Sequence, residues 1–263
     1  MTNIQIFATI GPSCKDKETI GKMIDAGMSL ARLNFSWGTH EEHALFVQEI
    51  REAAAERGVI IQIVQDLSGP RIQESKGHTF DPASSVITEK DIADLAFAVA
   101  NVPEYIALSF VRNANDIKEL KTLLQERGIT AKIIAKIERK EALEVLDEII
   151  AEADGVMVAR GDLGEAIPFE TVPFVKKDIL RKCMVAGKPA VVATEMLTSM
   201  TDDADPSRAD ITDISQAVVD GASATMLSNE TAVGGFPVET IAVMRKVVDE
   251  ALRETQTASV VRF

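Results

Sequence analysis

What this 263-residue chain lacks narrows what it does. No apolar run approaches the roughly 20 residues that a membrane helix requires, so no membrane partner is expected. The N-terminal Met1-Thr2-Asn3-Ile4-Gln5 lacks the charged and apolar regions of a signal peptide, which makes the cytoplasm the expected compartment. No Lys/Arg cluster stands out, and the formal charge is −13. Binding a phosphate backbone needs a basic footprint, so nucleic acid is not an expected partner. An anionic small substrate stays open, because a few cations fixed in a cleft outweigh a diffuse negative surface. The two cysteines, Cys14 and Cys183, are far apart and without metal-ligand spacing, and read as reduced thiols. There is no low-complexity tract.

What the chain does contain is one alternation from end to end, a short β-branched run followed by an amphipathic helical stretch. Strands are expected at 4–10, 29–35, 59–66, 105–111, 131–137, 155–159, 190–194 and 224–227, with helices between them and a last helix at 238–253. Strict alternation implies a parallel sheet buried on both faces, because each crossover lays a helix over it. An eight-fold barrel needs about 250 residues. The length therefore favours an α/β fold of one closed (β/α)8 TIM barrel over an open doubly wound sheet. The barrel is expected over 1–255, with 256–263 as a C-terminal tail. The polar stretch 74–85 and the long connection 161–171 break the rhythm.

In such a barrel, catalytic groups lie at the carboxyl ends of the strands. Strand two ends Ala31-Arg32-Leu33-Asn34-Phe35-Ser36, and the spacing by two predicts Arg32, Asn34 and Ser36 on one face. Three polar side chains on a buried face are costly to leave unpaired, which points to an ion or an anionic ligand. Strand three ends in Asp66, strand five in Lys136-Ile137-Glu138, and strand six in Arg160-Gly161-Asp162-Leu163-Gly164. Strands seven and eight end in Thr194-Glu195 and Ser228-Asn229-Glu230. Glu138 and Asp162 suit a hard divalent cation, Mg2+ or Mn2+, bound through oxygen. Lys136 beside them supplies a compact charge for a phosphoryl or enolate oxygen. The backbone N–H groups at Gly161 and Asp162 suit a carboxylate, and Thr194 offers a hydroxyl as proton relay. A structural ion pair at the barrel rim is the other reading of Lys136 and Glu138.

Several of these stretches are long and rare. Ala8-Thr9-Ile10-Gly11-Pro12-Ser13, Ala31-Arg32-Leu33-Asn34-Phe35-Ser36, Ala135-Lys136-Ile137-Glu138, Met157-Val158-Ala159-Arg160-Gly161-Asp162-Leu163-Gly164, Ala193-Thr194-Glu195-Met196-Leu197 and Met226-Leu227-Ser228-Asn229-Glu230-Thr231-Ala232 resemble pyruvate kinase, in family order and over nearly the whole chain. The resemblance implies that Lys136 stabilises the transferring phosphoryl group and the enolate, with Glu138 and Asp162 as divalent-metal ligands. It places Thr194 near the carbon where the enol is protonated, with Ser228 in the proton path. Arg32 matches the arginine that holds the phosphate of phosphoenolpyruvate. Asn34, Ser36 and Asp66, with the position of Leu67, match the monovalent-cation site. Potassium-independent relatives carry a basic residue where Arg71 stands and lack the threonine at the position of Leu67. A tethered guanidinium replaces a bound K+ there, so no K+ requirement is expected. The family resemblance also allows a homo-oligomer through barrel helices.

Departures from the pattern matter as much. The family's lid domain, which excludes water and completes the site, is expected to be reduced to the loop 74–85, and no counterpart of the family's C-terminal domain is expected. On the nucleotide side, Asn-Phe-Ser-His-Gly reads Asn34-Phe35-Ser36-Trp37-Gly38, and a nucleotide-phosphate arginine is replaced by Gln73. Three functions follow. The first is Mg-dependent phosphoryl transfer between phosphoenolpyruvate and ADP, with ADP/ATP use left open by Trp37 and Gln73. The second is a metal-dependent decarboxylase or lyase of a 2-oxo acid such as oxaloacetate, which needs only the enolate half of the site. The third is a non-catalytic binding or regulatory barrel.

Overall fold

Along each long strand of this protein, side chains alternate between two apolar environments, and that alternation explains the architecture. The computed structural model describes residues 4–73, 78–80 and 84–255. Its strands are β1 (Gln5–Thr9), β2 (Leu30–Asn34), β3 (Gln62–Asp66), β4 (Arg71–Gln73), β5 (His78–Phe80), β6 (Tyr105–Leu108), β7 (Lys132–Ile137), β8 (Gly155–Ala159), β9 (Ala190–Ala193) and β10 (Ala224–Leu227). All but β4 and β5 join in one closed barrel, in the order β1-β10-β9-β8-β7-β6-β3-β2. Every pairing in it is parallel. The architecture is the single (β/α)8 TIM barrel that the alternation predicts.

One parity of each strand packs against the helices: Ile6 and Ala8, Ala31 and Leu33, Ile133, Ala135 and Ile137. The opposite parity fills the barrel interior with Phe7, Leu30, Val64, Tyr105, Ile134, Met157, Val191 and Met226. Continuing that interior series by twos toward the carboxyl ends reaches Thr9, Arg32, Asp66, Ser109, Lys136 and Glu138, all buried. The register that packs the core thus also sets the polar groups around one mouth.

Helix starts are fixed by side-chain caps that satisfy free backbone N–H groups. Thr39 with Glu42, Thr88 with Asp91, Asn113 with Asp116 and Ser207 with Asp210 form reciprocal capping boxes. The helix expected over 140–153 is divided at Val145 into Lys140–Glu144 and Leu146–Glu152, which buries Ala142 from one segment and Leu146, Ile149 and Ile150 from the other. The long connection after β8 holds a short helix, Arg160–Ala166, and a 3-10 turn, Phe169–Thr171. Among the described residues no helix is long and apolar enough to cross a membrane.

Where the sequence predicts a polar loop over 74–85, β4 and β5 pair antiparallel, with Arg71 opposite Phe80 and Gln73 opposite His78. Three-residue strands are too short for period two to register in the sequence. Gly69 (φ 64°) starts this excursion, and a Cβ there would lie 3.0 Å from the Phe110 ring and 3.1 Å from Ser109 Cβ. Residues 74–77 and 81–83 of the expected loop, and the expected tail 256–263, lie outside the described residues.

Candidate active site

Lys136 stands at the centre of the mouth. Its ammonium donates to Ser109 Oγ at 2.6 Å and pairs with Asp66 Oδ1 at 3.2 Å and Glu138 Oε1 at 3.0 Å. Asp66 also accepts from Arg32 Nε at 2.6 Å. Arg32 Nη1 in turn donates to Thr9 Oγ1 at 3.0 Å, and the Thr9 hydroxyl donates to the Leu227 carbonyl at 2.8 Å. Burial by itself raises the Asp66 carboxyl, but the charges of Lys136 and Arg32 outweigh it and hold Asp66 below its ordinary value. One carboxylate thus holds the two cations side by side at the mouth.

Glu138 is treated differently by its surroundings. Burial, joined by the negative charges of Asp162 and Asp66, pushes its carboxyl up to about 7, against the pull of Lys136 and of the Phe110 N–H. That N–H donates to Glu138 Oε2 at 2.6 Å from a backbone with φ 57° at Phe110. The other oxygen, Oε1, is buried and has no hydrogen-bond partner among the described residues, only the Lys136 ion pair. Asp162, at the start of the helix after β8, meets Arg71 Nη2 at 3.5 Å, and the Arg71 guanidinium sits 5.7 Å from the Phe110 ring centroid. Among the described residues no group of three or more His, Cys, Asp or Glu side chains converges as a metal cage. A pair of carboxylates, one with an oxygen held only by the Lys136 ion pair, is a donor set that would suit a Mg2+ ion completing its shell with water and substrate.

A strained turn closes the β9 side. Thr194 and Glu195 have φ 66° and 54°, left-handed values that cost non-glycine residues about 1–3 kcal/mol each and cluster at functional sites. The Thr194 hydroxyl accepts from the Gly161 N–H at 2.8 Å. Arg160 donates from Nε to the Ala193 carbonyl at 3.3 Å and from Nη2 to the carbonyls of Thr194 at 2.5 Å and Glu195 at 3.2 Å. At the end of β10, the Ser228 N–H donates to Glu230 Oε2 at 2.6 Å, and Thr231 Oγ1 to the Thr9 carbonyl at 2.9 Å.

Arg32, Asp66, Lys136 and Glu138 are therefore one contact network, with Asp162 near enough for its charge to act on Glu138. Thr194 and Gly161 form a second, adjacent group. Ser36 lies beyond the end of β2, where its N–H donates to Asn34 Oδ1 at 3.1 Å, so the strand face shared by Arg32 and Asn34 does not extend to it. Leu67 is buried. Arg71 has its ion-pair contact with Asp162, while Asp66 is held by Arg32 and Lys136. Trp37 is 57% exposed, and its carbonyl meets His43 Nε2 at 2.9 Å. Sequence reasoning passed over Thr9 and Ser109, which orient Arg32 and Lys136. Both are polar residues at the carboxyl ends of strands, Thr9 in β1 and Ser109 just after β6, and the strand-end rule applied to every strand finds them.

Comparison with known proteins follows the same lines. The family description "Pyruvate kinase, barrel domain" matches residues 1–86 and 77–241. Pyruvate kinase of Sporosarcina psychrophila is 34% identical over 331 residues, covering 94% of this chain and 56% of that protein. Pyruvate kinase of Thermococcus litoralis is 34% identical over 324 residues, covering 92% of this chain and 68% of that protein. The enzyme of Geobacillus stearothermophilus is 34% identical over 336 residues, covering 96% and 57%. These alignments run longer than the chain's 263 residues, so the relatives carry residues that this chain lacks. The chain spans little more than half the length of most of these relatives, and within that span it belongs to the pyruvate kinase family.

Proposed function

We propose that the barrel performs metal-dependent chemistry on phosphoenolpyruvate and pyruvate, with phosphoryl transfer to ADP as the reaction. The observation that carries this reading is the buried network in which Asp66 holds Arg32 and Lys136 side by side. Glu138 and Asp162 are the residues to hold Mg2+ or Mn2+, which when bound neutralises charge on phosphoryl and enolate oxygens. Arg32 binds the phosphate, and Lys136 stabilises the oxygen shared between phosphoryl group and enolate. The turn at Gly161 and Asp162 orients the carboxylate through the Asp162 N–H, because the Gly161 N–H is given to the Thr194 hydroxyl. Thr194 presents a hydroxyl for protonation of the enol carbon, with Ser228 on the proton's route. Arg71 supplies a tethered positive charge beside the metal pair, and Leu67 leaves no hydroxyl for a monovalent cation, so K+ is not required.

The exposed Trp37 and the strand residue Gln73, on the nucleotide side, favour a second reading in which a 2-oxo acid is cleaved through its enolate with no nucleotide. Isothermal titration with Mg2+ present separates the two. Oxalate, an enolpyruvate mimic, binds under both readings, and subsequent ADP binding selects phosphoryl transfer. Oxalate binding without ADP selects 2-oxo acid cleavage. No oxalate binding by folded protein would sink both and leave a non-catalytic barrel. Unchanged oxalate and ADP affinities when tetramethylammonium replaces K+ support the tethered-cation role of Arg71; a steep K+ dependence removes it.

A further inference from the structure

We propose that Arg160 is a positioning residue, anchored by Asp213, that holds the Thr194–Glu195 turn in the conformation that presents the Thr194 hydroxyl. The inference rests on the reading of Thr194 and Gly161 as part of the enolate half of the site. Two consecutive non-glycine residues in the left-handed region persist only where the surroundings over-determine them. Thr194 is β-branched, which makes its φ of 66° the more costly of the two to hold. The guanidinium of Arg160 supplies the constraint. Its Nε and Nη2 reach the carbonyls of Ala193, Thr194 and Glu195, three in succession, and Nη2 also meets Met196 Sδ.

The remaining nitrogen is tied down from a different element. Arg160 Nη1 donates to both carboxylate oxygens of Asp213, each at 2.6 Å, from the helix Arg208–Val219. A planar fork fixed at one edge presents its other edge in a set direction, which a flexible ammonium does not do. Arg160 also directly precedes Gly161, whose N–H meets the Thr194 hydroxyl at 2.8 Å. The hydroxyl is therefore located from two sides, through its own backbone and through the amide beside it. An ion pair needed only for stability has no reason to engage three consecutive carbonyls of a strained turn.

The test uses Asp213→Asn, remote in sequence from the turn, and Arg160→Lys, which keeps the charge and loses the fork. Two quantities are read in the full chain: hydrogen exchange of the Gly161 amide by NMR, and oxalate affinity at saturating Mn2+ beside Mn2+ affinity alone. Gly161 protection is expected to fall about tenfold in both variants as the turn opens. Oxalate affinity is expected to fall about tenfold or more in Arg160→Lys, with Mn2+ affinity within about twofold. Adding Glu195→Gly, which relieves one left-handed residue at an exposed position, should restore most of both losses. Unchanged Gly161 protection and oxalate affinity overturn the proposal. So does a parallel loss of Mn2+ and oxalate binding, or a loss that Glu195→Gly leaves intact. Should the wild-type protein not bind oxalate, the enolate reading falls, while Gly161 protection still decides the role of Arg160.

Discussion

Glu138 is the residue at which the fold and the site make opposed demands. Its carboxyl is ordinarily near 4.5 and is pushed up to about 7 in the folded chain, chiefly by burial. Between those values the folded protein holds a proton that the unfolded chain has released. Stability therefore falls as pH rises through that window, and the full cost is present above it. Gln copies the shape of the protonated acid. In metal-free protein at pH 8, Glu138→Gln should raise the unfolding free energy on the order of 2 kcal/mol, and the gain should shrink toward pH 5. Thermal unfolding at both pH values checks this. Destabilisation at both would mean that the pull between Lys136 and Glu138 outweighs burial. The cysteines give a simpler case. Burial pushes the Cys14 thiol up to about 11 and Cys183 to about 12, so almost no thiolate exists at pH 8. Iodoacetamide should leave both unlabelled by mass spectrometry under conditions that label the denatured chain completely. Rapid labelling of native protein would show that one of them is accessible.

Among the elements, the helix Glu89–Asn101 is tied to the loop leaving β3 by one buried carboxylate. Asp91 Oδ2 accepts from the Thr88 N–H at 2.9 Å and hydroxyl at 2.7 Å, and Oδ1 from the Gly69 N–H at 3.1 Å. Asp91→Ala removes half of the cap and strands the Gly69 amide, a loss on the order of 2–3 kcal/mol. A urea midpoint within error of the wild type would show that water replaces the carboxylate. The same loop shows what a sequence can and cannot disclose. Arg32, Asp66, Lys136 and Glu138 were legible because barrel strands are regular: the parity that buries Leu30, Val64 and Ile134 carries straight on to them. Spacing by two puts Ser36 on that face, but the chain leaves β2 after Asn34 and the Ser36 N–H turns onto the Asn34 side-chain oxygen, a local hydrogen bond that competes with extended backbone. The β4–β5 pair is not legible in the sequence, because its three-residue strands hold no periodic signal and their pairing is a tertiary choice. Arg160 was visible as a strand-end residue, but its task depends on the backbone dihedrals of Thr194 and Glu195, which no residue type announces.

At the scale of the whole molecule, the formal charge of −13 acts on everything that approaches the mouth. Inside the mouth, Arg32, Lys136 and Arg71 stand against Asp66, Glu138 and Asp162, so the site itself is close to neutral and the surrounding field is left to set the long-range term. That field attracts a divalent cation and repels a dianion. Salt screens it over a Debye length of about 10 Å at 0.1 M, short compared with the barrel. The two ligands should therefore respond to ionic strength with opposite signs. Mn2+ affinity should weaken as an inert salt rises from about 0.02 to 0.2 M, and oxalate affinity at saturating Mn2+ should strengthen or hold over the same range. Titration calorimetry in the chloride salt of a large organic cation gives both slopes without adding a competing metal. If oxalate instead weakens steeply with salt, cations gathered at the mouth dominate over the whole-chain charge. The steering would then belong to Arg32, Lys136 and Arg71, and replacing Arg71 by Gln should flatten the slope.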